Sequence, residues 1–140
     1  MEVRGEQVYS NSIPVNIPDN TLVSSSITIP TGNPVNNISN TTYIDVRINI
    51  SHPNVSDLKI YLVAPNNCGT LELSTNNGGN GDDYINTILT STAIQNITIA
   101  TAPFSNTFYL AEGVTHSPSG ISYQAPTGLT GIFPPYLHHL

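Results

Sequence analysis

The chain has 140 residues, with 3 Lys+Arg against 9 Asp+Glu, a formal net charge of −6, and 38% hydrophobic residues. That is the length of one domain, long enough to bury most of the surface its unfolded form exposes. So few basic residues exclude binding to a phosphate backbone or to an anionic bilayer, both of which need clustered Lys and Arg, and no apolar run is long enough to span a membrane.

In chain order, the patterning predicts strands. Residues 8–20 (VYSNSIPVNIPDN) place Ile13, Val15 and Ile17 on one face, and Val23, Ser25, Ile27 and Ile29 repeat the alternation before the breaker PTGNP. YIDVRINI is the clearest case, with Ile44, Val46, Ile48 and Ile50 on one face and Tyr43, Asp45, Arg47 and Asn49 on the other. Such alternation belongs to an antiparallel sheet with one wet face. HPNVS turns the chain, and LKIYLVAP follows with Leu58, Ile60 and Leu62 inward. The short NNCG connection and the next run, with Leu71 and Leu73 inward, predict a hairpin.

The stretch 87–102 is rich in Ile and Thr, whose branched Cβ atoms suit a pleat better than a helix, and it is expected to be extended with a turn near Gln95-Asn96. APFSNTFYLAEG is a further strand or ordered loop. Strands at short spacing, with no helical period between them, predict an all-β fold, an antiparallel β-sandwich.

The chemistry-bearing residues are sparse. Cys68 has no partner for a disulfide, and HExxH, CxxC and G-x-S-x-G patterns are missing. His52 and His116 lie in turn-like stretches and are expected to be structural or solvated, while His138 and His139 are expected to be a short tail or cloning residues. N-x-S/T sequons begin at Asn37, Asn40, Asn49, Asn54 and Asn96. The loop NNGGNGDDYINT, residues 76–87, draws the eye because two acids stand behind closely spaced glycines. It has neither the third glycine nor the lysine of a phosphate cradle. Two readings remain open: a calcium cage built on Asp82, Asp83 and Asn80 with loop carbonyls, and a solvated connection with glycines at positive φ.

Four stretches, in order, resemble the P domain (Homo B domain) that follows the catalytic domain of subtilisin-like proprotein convertases. IPVNIPDNTLVSSSITI resembles its opening strands, and VRINISHPNVSDLKIYLVAPN its "I-x-H-x-x-x-x-D-L-x-I-x-L-x-S-P" run. NNGGNGDDYINT resembles its "GGxGDN" loop, and APFSNTFYLAEG its "PF-x-G-x-(Y/F)-x-P-E-G" segment. On this resemblance Asp57 heads a strand, Asp82 holds the acidic loop position, Asp83 stands where the family more often has Asn, and Glu112 and Gly113 match the "EG" pair.

The resemblance spans residues 8–125, leaving 1–7 as an extension and 126–140 as a divergent or truncated tail. It implies a jelly-roll sandwich and a secreted or cell-surface setting. It further implies a non-catalytic accessory module that packs against a protease catalytic domain and influences its stability and its calcium and pH dependence. The competing expectation is an adhesion or carbohydrate-binding sandwich, with outward Tyr43 and Tyr61 stacking on sugars. Where the family has a closing strand, this chain has LTGIFPPYLHHL and no tryptophan. Pro134 and Pro135 cannot donate to a ladder, so the expectation is an incomplete sandwich that is either marginally stable or self-associates through an open sheet edge.

Overall fold

A computed structural model describes residues 8–29, 37–38, 45–64, 69–90, 93–112, 131–132 and 136–139. Its strands are β1 (Ser25–Thr28), β2 (Asn37–Ile38), β3 (Asp45–Ile50), β4 (Lys59–Ala64) and β5 (Gly69–Thr75), then β6 (Tyr84–Thr90), β7 (Phe104–Ser105), β8 (Phe108–Leu110), β9 (Gly131–Ile132) and β10 (Tyr136–His139). Single 3-10 turns stand at Val55–Asp57 and Ile97–Ile99. One four-stranded sheet runs β1-β10-β4-β5, a second runs β3-β6-β7 with β8 also on β6, and β2 pairs with β9.

The two larger sheets share one core. Val46 and Ile48 of β3, Ile60 and Leu62 of β4, Leu71 and Leu73 of β5, and Tyr84 and Leu89 of β6 belong to a single buried cluster with Phe104 and Tyr109. An all-β, sandwich-like architecture follows from this shared burial. β3 shows the predicted alternation, with Val46 and Ile48 buried and Asp45, Arg47 and Asn49 exposed. The β4–β5 hairpin is antiparallel from Lys59↔Thr75 to Ala64↔Gly69, with one irregularity between Ile60 and Tyr61. The turn near Gln95-Asn96 is also present. There the Asn96 side chain accepts from the Thr98 N–H and opens the 3-10 turn at Ile97–Ile99.

Three expectations need correction. Residues 8–18 form no strand: Ile13 is 74% and Val15 43% exposed, and only Ile17 packs against the core. Among the described residues the alternation there has no partner strand to pair with, and a pattern without a ladder stays irregular. Second, β7 and β8 pair with β6 in parallel rather than antiparallel, keeping one register from Tyr84↔Phe104 to Thr90↔Leu110. The segment 93–103 between them is long enough to return the chain to the starting end of β6, as a parallel pairing requires.

Third, the tail does enter a ladder. β10 starts after Pro135 and lies between β1 and β4, with Ser26↔His138 on one side and Leu62↔His139 on the other. The prolines precede the paired residues, so their missing N–H groups cost the ladder nothing. His138 and His139 are therefore strand residues. Cys68, Tyr43, Gly113 and His116 lie outside the described residues.

The second sheet contains a local break bridged by side chains. β3 slips against β6 between Ile48 and Ile50, and the Asn49 Oδ1 accepts from the Asn86 N–H at 2.8 Å, replacing the lost backbone acceptor. Asn86 within β6 and Asn106 between β7 and β8, both at φ 48, put a matching kink in the two paired segments, a conformation asparagine tolerates better than most residues. Across the kink the Thr87 hydroxyl donates to the Phe104 carbonyl.

Candidate functional site

The glycine loop connects β5 to β6 and has an inner and an outer half. On the inner half, the Asn76 N–H donates to the Leu58 carbonyl (3.0 Å) and its side-chain amide donates to the Ser56 carbonyl (2.6 Å). Asn77 is buried, and its Nδ2 donates to the Ser74 Oγ (3.0 Å) and to the Glu112 Oε2 (2.8 Å). Gly78 has φ +92, and a Cβ there would lie 2.6 Å from Val55 Cγ2 and 2.8 Å from the Phe104 ring. No other residue fits that backbone and that gap.

On the outer half, Asn80 and Asp82 are exposed. Gly81 presses against Ala102, and its carbonyl accepts from the Val55 N–H at 3.0 Å. Asp83, at φ 67, ties three segments together. Its Oδ1 accepts from the His52 N–H (2.9 Å), its own N–H donates to the His52 carbonyl (3.3 Å), and its carbonyl accepts from the Phe104 N–H (3.1 Å).

His52 closes the turn before β4. With Nδ1 protonated it donates to the Asn54 carbonyl (2.8 Å), and with Nδ1 bare it accepts from the Asn54 N–H (3.2 Å). Its structural reading stands. A shallow groove of about 320 Å³ lies beside Asp83, lined by Asn49, Ile50, Ser51, Tyr84 and Ile85.

Behind the loop is a polar corner inside the core. Glu112 is 1% exposed, and its Oε2 accepts from the Thr75 N–H at 2.7 Å as well as from Asn77. Thr75 ends β5, which has only β4 beside it in its sheet. The carboxylate thus caps an edge that no strand covers at that point among the described residues. The Ser74 Oγ links onward to the Tyr84 hydroxyl at 2.9 Å.

Burial raises the Tyr84 phenol from its ordinary 10.0 to about 12; the Ser74 hydrogen bond opposes the shift and the nearby Glu112 charge adds to it. Tyr84 also stacks on Phe104 with centroids 4.8 Å apart, and Phe104 meets Tyr109 edge-on at 5.4 Å. A second acid, Glu72 on β5, is fully buried.

The structure separates the residues proposed for calcium. Asp82 and Asn80 face solvent, whereas one carboxylate oxygen of Asp83 is committed to the His52 N–H. Among the described residues no group of three or more His, Cys, Asp or Glu side chains is placed to hold an ion. Calcium takes 6–8 oxygen ligands, so this loop would have to supply most of them from carbonyls and water. Asp57 ends the 3-10 turn ahead of β4 and is exposed, and Tyr61 is only half exposed.

The resemblance singled out Glu112 but not the corner around it; a further signal in the sequence is that Glu72 and Ser74 alternate with Leu71 and Leu73, and all four are buried.

The strands and loop just described define a sandwich-like β-domain whose two sheets are pinned by one glycine loop. Residues 41–100, which include β3 to β6 and that loop, match the family model of the proprotein convertase P-domain. The resemblance therefore holds over the central part of the chain, and the domain of that family is a non-catalytic accessory one. No curated protein and no solved structure matches the chain. No helix among the described residues is long and apolar enough to cross a membrane.

Proposed function

We propose that the chain is a secreted, non-catalytic P-like module that packs against the catalytic domain of a subtilisin-like protease and prolongs its active lifetime. The observation that supports this reading most is the family match over residues 41–100, because it covers β3 to β6, strands of both sheets, and the loop that joins them. The outer face of the second sheet adds to it. Phe108 is 55% and Ile85 42% exposed there, apolar surface that a packed partner would cover.

The test expresses a subtilisin-like catalytic domain from the same genome with and without this chain, fused or added in trans, and follows its half-life. A longer half-life that is lost on replacing Phe108 and Ile85 by Ser, with the module itself still folded, is the expected result. A catalytic domain equally long-lived in every arm overturns the proposal.

Calcium enters as a proposed ligand of the outer loop, held by Asp82 and Asn80 with the second carboxylate oxygen of Asp83. Because one oxygen of Asp83 is already occupied, binding is expected only at millimolar ion. A rise in melting temperature with calcium over chelator, abolished in Asp82→Ala, supports it through mass action on the folded state. An identical melting temperature in all arms returns the loop to a solvated connection.

Self-association is proposed for a shortened chain. Without residues 131–140, the edges of β1 and β4 that β10 pairs with are bare. Sedimentation of a chain ending at residue 130 is expected to show oligomers where the full chain shows fewer, and equal distributions would refute it.

A further inference from the structure

The chain contains two Asn-Gly pairs, Asn77-Gly78 and Asn80-Gly81, three residues apart in one loop. Asn-Gly is the dipeptide most prone to self-modification. The backbone nitrogen of the glycine, having given up its proton, attacks the asparagine Cγ. The Cγ–N bond to the side-chain amide breaks and ammonia leaves, forming a five-membered succinimide. Water then opens either ring carbonyl, giving aspartate or isoaspartate. No enzyme or redox partner is needed. The step does need an asparagine side chain free to swing onto the next nitrogen, and a backbone free to accept the ring.

The two pairs differ in both respects. Asn77 is 8% exposed, and its Nδ2, the leaving nitrogen, is held by the Ser74 Oγ and the Glu112 Oε2. Its glycine is wedged between Val55 and Phe104. Asn80 is exposed, at the outer turn of the loop. The Gly81 N–H makes only a long bond, 3.4 Å, to the Gly78 carbonyl, so its nitrogen is scarcely engaged.

We infer that Asn80 is a site of spontaneous, structure-selected conversion to aspartate or isoaspartate, and that the fold protects Asn77 from the same chemistry. Each conversion adds one negative charge to a chain already at −6. It does so at an exposed position two residues from Asp82. The isoaspartate product also lengthens the backbone beside Gly81, whose carbonyl holds the Val55 N–H and whose Cα abuts Ala102. That product therefore loosens the tie between the loop and the turn before β4, and the aspartate product does not.

The test incubates the full chain at mildly alkaline pH, folded and in denaturant, and reads both sites by peptide mass spectrometry, by isoaspartate methyl-acceptor assay and by the appearance of a more acidic form on ion exchange. In the folded chain Asn80 is expected to convert more than about tenfold faster than Asn77, whose reaction waits on local opening. In denaturant the two rates converge. Asn80→Gln, which retains an exposed amide without ready ring closure, is expected to abolish the acidic form. Equal conversion of both sites in the folded chain overturns the inference. So does an Asn80 that stays an amide under conditions that convert it in denaturant.

Discussion

Glu112 and Asp82 both sit in stretches that resemble family motifs, yet their surroundings are opposite. Glu112 is buried, with a backbone N–H and an asparagine amide donating to one oxygen, and it caps the end of β5. Asp82 stands in solvent at the outer half of the glycine loop. A motif match ranks these acids as equals. Physics does not, because a buried carboxylate is costly to desolvate and persists only where donors satisfy it, whereas an exposed one costs nothing and secures nothing. The inner side of the loop is thus a structural joint, and the outer side is free to change.

The comparison is broken most directly at Glu112. Glu112→Ala leaves the buried Thr75 N–H without this acceptor and the Asn77 amide with the Ser74 Oγ alone, and at about 1–3 kcal/mol for a buried unsatisfied group the loss is at least that of the Thr75 N–H. That is a large share of the roughly 5–15 kcal/mol of a typical domain, so urea unfolding should show a sharply lowered midpoint or an unfolded chain. Glu112→Gln, which keeps a carbonyl acceptor, should recover part of the loss. An unaltered Glu112→Ala midpoint would put the joint elsewhere.

Next comes Gly78→Ala. The left-handed backbone costs a non-glycine residue about 1–2 kcal/mol, and forcing a methyl against Val55 and Phe104 adds about 1–3 kcal/mol of overpacking. The same substitution at Gly79, where the backbone is also left-handed but a Cβ meets nothing within 4 Å, should incur only the first term. The two midpoints, compared in one denaturation series, separate conformation from packing.

The Tyr84 phenol gives a pH signature of the buried side. Its folded value of about 12 lies above its ordinary 10.0, so the stability it contributes is complete below pH 10 and is lost as the pH climbs towards 12. The loss over that window is about 3 kcal/mol. Denaturant unfolding at alkaline pH should show it, and Tyr84→Phe should flatten this part of the profile. A wild-type profile parallel to that of Tyr84→Phe would contradict it.

The smallest effects fall on the outer loop. Asp83→Ala forfeits the acceptor for the His52 N–H and places alanine at positive φ, a loss of about 1–3 kcal/mol. Asp83→Asn retains both the acceptor and the tolerated conformation. Asp82→Ala should stay within about 0.5 kcal/mol of the parent without added metal. If Asp82→Ala instead costs as much as Asp83→Ala, the two halves of the loop are not as different as their burial implies.

Much of the fold was written in local pattern. The alternation in Asp45–Ile50, the β4–β5 hairpin and the turn near Gln95-Asn96 are properties of neighbouring residues, and the structure shows each of them. The same rule failed at residues 8–18, where Ile13 and Val15 alternate without a partner and remain exposed. It failed at the tail too, where two prolines concealed a strand that begins only after them. The acids at 82 and 83 were visible as a pair, but nothing local announced that one faces water while the other clasps His52.

By itself, then, the sequence determined the class of fold, the main strands and the place of the glycine loop, because side-chain periodicity and backbone freedom are short-range. Only the tertiary structure decided that β7 and β8 run parallel to β6 and that β10 fills the space between β1 and β4. Those choices rest on which edges are left to pair once the core has closed. It also decided that Glu112, 37 residues from Thr75, is the acid that matters to stability, since a donor and an acceptor so far apart in the chain meet only when both sheets pack.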